Sequence, residues 1–253
     1  MISKNKIKYL CSLKIKKYRE KNLGTILEGL RLIEQAIDFS ANIGSIWITH
    51  EFKDSNNLFL KKIESKNINY DIISDSDMKI ISDTKNSQGI IAEVNISKYL
   101  WPISQTINDN LVVIDSISDP GNLGTIFRTC AWYGIKTMML NTTTTDPFNF
   151  KCIRSGMGAH FYFNQIISDS NKNIINFLKS NNYDILCADL NGNNFSRVNP
   201  SSKWAIIFGS EAHGISEDFD RFNKVTIKGS NSIESLNVSV SAGIILEHLI
   251  NSK

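Results

Sequence analysis

The sequence predicts an α/β protein made of two units. Three observations carry this reading. Short β-rich runs alternate with helix-like stretches in the first half, a continuous apolar run at residues 111–115 opens a second alternating series, and a polar stretch containing Pro102 separates the two. With 253 residues, 42% of them hydrophobic, the chain can bury a core for two units of ordinary size.

In chain order, residues 23–41 carry Leu27, Leu30, Ile33, Ile37 and Ala41 at three- and four-residue steps, the spacing of a helix with one buried face. Strands are predicted at 45–49, 70–73 and 89–94, with helices around 58–65 and 75–81 between them. Residues 95–110 lack periodicity, which sets a first unit at 1–97, a linker at 98–109 and a second unit at 110–253. The run from Leu111 to Asp115 reads as a buried parallel strand, followed by strand candidates at 137–140, 185–188, 204–208 and 224–227. Helical patterns between them predict an α/β sheet covered on both faces.

The formal net charge is +3, so no basic field covers the whole protein and any nucleic-acid contact must be local. Residues 1–21 fit a local contact: Lys4, Lys6, Lys8, Lys14, Lys16, Lys17, Arg19 and Lys21 face one acid, Glu20. A solvated helix face explains them equally well. Cys11, Cys130, Cys152 and Cys187 are widely spread, which argues against a zinc site or a disulfide framework; no metal is expected. The first residues are too charged for a signal peptide, and no apolar run reaches the roughly 18 residues that span a bilayer. A soluble, cytoplasmic protein without membrane contact is expected.

Three segments carry chemistry. Residues 115–128 (DSISDPGNLGTIFR) form a strand–turn–helix join in which Asn122 is placed to cap the helix, Leu123, Ile126, Phe127, Cys130 and Ala131 make its buried stripe, and Arg128 projects away from that stripe. The spacing is not that of a dinucleotide fingerprint. Residues 206–214 (IIFGSEAHG) run from a strand into a loop with two glycines, where α/β sheets bind ligands. Glu211 and His213 there have the chemistry of a general acid and base, and also of a polar surface turn. Residues 224–243 (KVTIKGSNSIESLNVSVSAG) pass from a strand through a polar loop into a helix whose small residues permit close packing. Ser235 or Asn237 suits that helix's N-cap.

In order and spacing, these segments resemble the three motifs of the SpoU (TrmH-like) family of RNA ribose methyltransferases. Residues 28–34 (EGLRLIE) and 151–159 (KCIRSGMGA) resemble two further family helices, so the resemblance spans almost the whole chain. Lys228, where the family often has Pro, and Ala212, where Gly is frequent, depart from the pattern at permissive backbone sites. The resemblance implies an L30e-like N-terminal substrate-binding domain and a C-terminal α/β domain tied in a deep trefoil knot, with a mainly parallel sheet. It implies S-adenosylmethionine as cofactor, held by Phe208, Gly209, Gly214, Ile227 and Leu236, and a homodimer. Arg128, Asn122, Glu211, Ser235 and Asn237 would form the catalytic set, with Asn122 bonded near Arg128 or the ribose; Arg31, Arg154, Lys14 and Lys17 would bind RNA.

The implied reaction is methyl transfer to a ribose 2′-hydroxyl of structured RNA, with ribosomal RNA favoured over transfer RNA. A guanidinium keeps its proton, so Arg128 is expected to hold a phosphate and orient the hydroxyl while that phosphate or a water takes the proton. A non-catalytic RNA-binding protein of the same fold and an ordinary nucleotide-binding enzyme are the alternatives.

Overall fold

The first strand begins inside the stretch whose periodicity predicts a helix. In the computed structural model, which describes residues 2–100, 102–103, 107–230 and 232–251, a leader of two helices, α1 (Lys4–Ser12) and α2 (Lys16–Asn22), precedes β1 (Gly24–Glu28). Helix α3 (Leu30–Asp38) starts only after Gly29, whose φ of +101° an L side chain rarely adopts. Then follow β2 (Asn42–Ile48), α4 (His50–Ser55), α5 (Asn57–Ser65), β3 (Tyr70–Ile72), α6 (Asp75–Ile81) and β4 (Ile90–Asn95). Their sheet has the order β1-β4-β2-β3, antiparallel except for the β2–β3 pair. The predicted linker at 98–109 falls partly outside the described residues, at 101 and 104–106.

The second sheet is wholly parallel. It is built from β5 (Leu111–Ile114), α7 (Pro120–Trp132), β6 (Thr137–Asn141), α8 (Phe150–Ser155), β7 (Gln165–Asp169), α9 (Asn171–Ser180), β8 (Asp184–Asn194), β9 (Trp204–Phe208), β10 (Asn223–Thr226) and α10 (Val238–Asn251). Its order is β10-β8-β9-β5-β6-β7. From β5 the chain moves through β6 and β7 to one edge, then crosses to β8 and inserts β9 beside β5. The order therefore reverses between β5 and β9, and at such a switch point the strand ends open a crevice.

Alternation along the strands fills both faces. Val112 and Ile114 pack with Leu123, Ile126 and Phe127 of α7 and Ala242, Ile245 and Leu246 of α10. Leu111 and Val113 pack with Ile174, Ile175 and Leu178 of α9 on the other side. Each of these Val, Leu, Ile and Phe side chains stabilises the fold by about 1.5–3 kcal/mol on burial. The first of these cores does not stop at the sheet: it continues through Tyr99, Phe148 and Phe161 into Leu27 of β1 and Leu32 and Ile33 of α3 in the N-terminal unit. Tyr99 lies 5.5 Å from Phe161 and 6.3 Å from Phe148, ring centre to ring centre.

Polar contacts reinforce the junction. Arg19 of α2, only 4% exposed, sends Nε and Nη2 to Asp146 Oδ2 at 2.8 and 2.5 Å and Nη1 to the Leu13 carbonyl at 2.8 Å. Asp146 is itself oriented by the Phe148 amide at 2.9 Å, and the Phe148 carbonyl accepts from Thr25 Oγ1 at 3.1 Å. The leader is thus partly structural: besides Arg19, Lys6 pairs with Glu93 at 2.6 Å. Neither a phosphate contact nor a solvated helix face, the two readings the sequence left open, covers these two cations.

Candidate active site

Asn122 stands in the first turn of α7, at the switch point, but it does not cap the helix. Asp119 does: its carboxylate accepts from the Asn122 amide at 3.0 Å, and Pro120 follows as the first helical residue. Lys151 Nζ, 2.7 Å from Asp119 Oδ1, holds that carboxyl below the usual carboxylate range. The Asp-Pro pair is a capping signature that the sequence reading passed over for Asn122.

With its backbone so held, the Asn122 side chain is free to join the other two segments. Its Nδ2 donates to Glu211 Oε1 at 2.5 Å, and its Oδ1 accepts from Asn237 Nδ2 at 3.0 Å. Asn237 Oδ1 accepts from the Ser239 amide and hydroxyl at 2.9 and 2.6 Å, which caps α10. A continuous chain of bonds therefore runs from α10 through α7 to the loop after β9, joining residues 89 and 115 positions apart in sequence.

That loop is closed on itself. Ser210 and Gly214 exchange two backbone hydrogen bonds of 2.8 Å, and a Cβ on Gly209 would strike the Gly214 backbone. Gly214 has φ +70° and open space where a Cβ would stand. Glu211 and His213 are exposed on the loop. Phe208, by contrast, is buried in the core, and its carbonyl accepts from the Asp115 amide at 2.9 Å. Any part Phe208 takes in binding is indirect.

The third segment flanks the loop. Ile227 is half-buried just past β10, while Ser235, Leu236 and Asn237 are exposed. Leu236 is 42% exposed and Ile233 is 71% exposed. Apolar side chains bare to solvent beside backbone opened by glycine suit the flat, apolar ring of a nucleoside cofactor. Ser235 makes no side-chain hydrogen bond among the described residues.

Arg128 is not part of the bonded junction. It lies on the exposed side of α7, 240° around the helix from Asn122 by the turn of about 100° per residue, and it forms no ion pair among the described residues. Of the two partners expected for Asn122, Arg128 or the ribose, Arg128 lies outside the bonded set; within the chain the side chain meets Glu211 and Asn237. One turn beyond, on the same face as Arg128, Trp132 is 84% exposed.

Of the residues assigned to RNA, two converge on residues 82–84. Lys14 Nζ donates to the Ser82 carbonyl at 2.7 Å, and Arg154 Nη1 pairs with Asp83 at 3.1 Å. The same stretch is held by Glu28, whose carboxylate accepts from the Ser82 and Thr84 hydroxyls and the Asp83 amide. Arg31 is exposed at the start of α3, next to Leu30, whose amide donates to Gln88 at 2.9 Å. Lys17 is exposed on α2, away from these contacts.

Among the described residues no group of three or more His, Cys, Asp or Glu is arranged to hold a metal, and no helix is long and apolar enough to cross a membrane.

Comparison with known proteins finds a match to the SpoU rRNA methylase family over residues 109–247 and to the MRM3-like substrate binding domain over residues 4–92. The chain is 28% identical over 249 residues to the Bacillus subtilis 23S rRNA (guanosine(2553)-2'-O)-methyltransferase RlmP, covering 96% of this chain and 95% of that one. Among solved structures it is similar to a TrmH-family putative RNA methyltransferase from Porphyromonas gingivalis, with a TM-score of 0.86, 25% identity and full coverage of both chains. It also superposes on an AdoMet-bound rRNA methyltransferase from Sinorhizobium meliloti, with a TM-score of 0.82 and 22% identity over 98% of this chain and 95% of that one.

Proposed function

Because the chain belongs to the SpoU rRNA methylase family, we propose that it transfers a methyl group from S-adenosylmethionine to a ribose 2′-hydroxyl of RNA, ribosomal RNA in preference to transfer RNA. The bonded junction of Asn122, Glu211 and Asn237 carries this reading, because it draws the three motif segments to one point at the switch of the sheet. The preference for ribosomal RNA follows the relative in Bacillus subtilis, which acts on 23S rRNA.

The residues present fit the cofactor. Gly214, exposed and with open space where a Cβ would stand, leaves backbone accessible; buried Gly209 lets the loop close against the Gly214 backbone; and Leu236 and Ile227 offer apolar surface on the third segment. When bound, S-adenosylmethionine supplies a methyl group already activated by a sulfonium. The protein's task is then alignment and removal of one proton. Arg128 grips a phosphate next to the target ribose with its guanidinium fork and turns the 2′-hydroxyl, whose proton passes to that phosphate or to a water. Glu211 and Asn237 hold Asn122, and Ser235 borders the target site.

In this reading, residues 1–97 form the substrate-binding domain, 98–109 the linker and 110–253 the methyltransferase domain. Arg31, Arg154, Lys14 and Lys17 would contact RNA, Lys14 and Arg154 after exchanging their present partners. A trefoil knot in the second domain accords with the insertion of β9 between β5 and β8. The enzyme is cytoplasmic and works as a homodimer, for which Trp132, exposed one turn beyond Arg128, and Val240, exposed on the adjoining α10, offer apolar surface.

The test is transfer of labelled methyl from S-adenosylmethionine to unmodified ribosomal and transfer RNA, followed by digestion to locate the label. Label on a ribose 2′-oxygen that disappears with Arg128→Ala supports the reading. Cofactor binding without transfer to either RNA would favour a non-catalytic RNA-binding protein.

A further inference from the structure

A second polar cluster starts from Asp115 and Ser116, at the head of the first motif segment, and reaches Asn141, Thr144 and Ser216 outside the motifs. Asp115, immediately after β5, is fully buried. Its Oδ2 accepts from the Ser216 backbone amide at 2.7 Å, and its Oδ1 accepts from Asn141 Nδ2 at 2.6 Å and from the Ser116 hydroxyl at 3.2 Å. Asn141, at the end of β6 and also buried, turns its own Oδ1 to the amides of Ser116 and Thr144, each at 3.0 Å, and to the Thr144 hydroxyl at 2.8 Å. Ser116 sits at φ +65°, a conformation uncommon for a side-chain-bearing residue, and its amide is held there by Asn141.

The chemistry at position 115 is specific. Every group facing it is a donor, so both of its oxygens must accept, and only a carboxylate does that without a donor of its own. Its two sides serve different loops. Ser216 closes the loop that carries Gly209, Glu211 and Gly214, while Ser116 opens the turn that leads to Asp119 and Asn122.

We propose that Asp115 is a positioning residue for methyl transfer: it ties the loop after β9 to the turn after β5, so that Glu211 meets Asn122 and the cofactor cradle keeps its shape. This rests on the S-adenosylmethionine reading above. Its consequence is that position 115 controls cofactor affinity without touching the cofactor.

A side-chain exchange separates this role from mere folding. Asp115→Asn puts an amide donor opposite either the Ser216 amide or Asn141 Nδ2. Asn141→Asp sets two carboxylates face to face. In the double variant Asp115→Asn/Asn141→Asp every donor again meets an acceptor: the amide now at 115 donates to the carboxylate at 141, and its oxygen accepts from Ser216.

The experiment is calorimetric titration of S-adenosylmethionine into the full chain and each variant, with steady-state kcat and KM and a thermal unfolding curve for each. Asp115→Asn is expected to bind the cofactor about tenfold or more weakly, and the double variant to recover most of the loss. Ser216 has φ −66°, which proline shares, so Ser216→Pro removes the donated N–H with little backbone change. It should weaken binding as Asp115→Asn does, whereas Ser216→Ala should bind as the native chain. If Asp115→Asn does not fold, this proline–alanine pair decides. Native affinity in Asp115→Asn or Ser216→Pro, or no recovery in a folded double variant, overturns the proposal. No binding by the native chain overturns the S-adenosylmethionine reading itself, and this inference with it.

Discussion

The Asn122 side-chain amide is used in both directions, donating a hydrogen bond to Glu211 and accepting one from Asn237. A carboxylate in its place would still accept from Asn237 but would set a second negative oxygen against Glu211. Asn122→Asp should therefore lower kcat about tenfold or more, and adding Glu211→Gln, which restores a donor, should recover part of it. Equal kcat in native and single variant would remove Asn122 from the site. A second residue makes a pH prediction. His160 is fully buried, stacked on Phe127 at 4.2 Å, and burial holds its pKa down to about 3. In the unfolded chain the imidazole takes its proton at about 6.5. The unfolded state thus binds the extra proton first, so the stability this residue confers is present above pH 6.5 and lost progressively as pH falls toward 3. Between pH 7.5 and 5 the native melting temperature should drop more than that of His160→Leu; parallel curves would assign the acid sensitivity elsewhere.

Among the elements, α2 has the most to reveal, because one side chain ties it to the second unit. Removing one member of a buried ion pair leaves the other charge without compensation, so Arg19→Ala should cost about 3–5 kcal/mol in denaturant unfolding, and Arg19→Lys less. A loss within about 0.5 kcal/mol would show that Asp146 finds another partner or water. Nothing local distinguishes Arg19 from its seven basic neighbours, since its partner lies 127 residues away. The same limit explains β1. Leu27, Leu30, Ile33 and Ile37 fall at helical steps, but the strand is buried on both faces and shows no alternation of its own; only Gly29 marks the break. The strand at 204–208 was legible to the residue because it is an unbroken apolar run bounded by turn residues. β7 was not, since Gln165, Ser168 and Asp169 dilute the pattern at the sheet's edge. The three chemical segments were legible as segments. Which atoms bond across them was not, because Asn122, Glu211 and Asn237 become neighbours only when the sheet reverses its order.

At the level of the whole molecule, the face of α7 that displays Arg128 also displays Trp132, and the adjoining α10 displays Val240, which is 50% exposed. If this face is the homodimer contact, Trp132→Glu should give a monomer in sedimentation and reduce methyl transfer, while cofactor affinity stays within a few-fold of native. A dimer unaffected by that change would place the contact elsewhere.

The core that runs without a gap from one sheet to the other, through Tyr99, Phe148 and Phe161, bears on the choice of RNA. Units joined by packed rings rather than by a bare tether do not swing toward a ligand. If the N-terminal unit grips RNA as proposed, the span between that grip and the Asn122 junction is a fixed gauge, and an RNA whose own fold sets the target ribose at that span is the one that fits: distance would be read before bases.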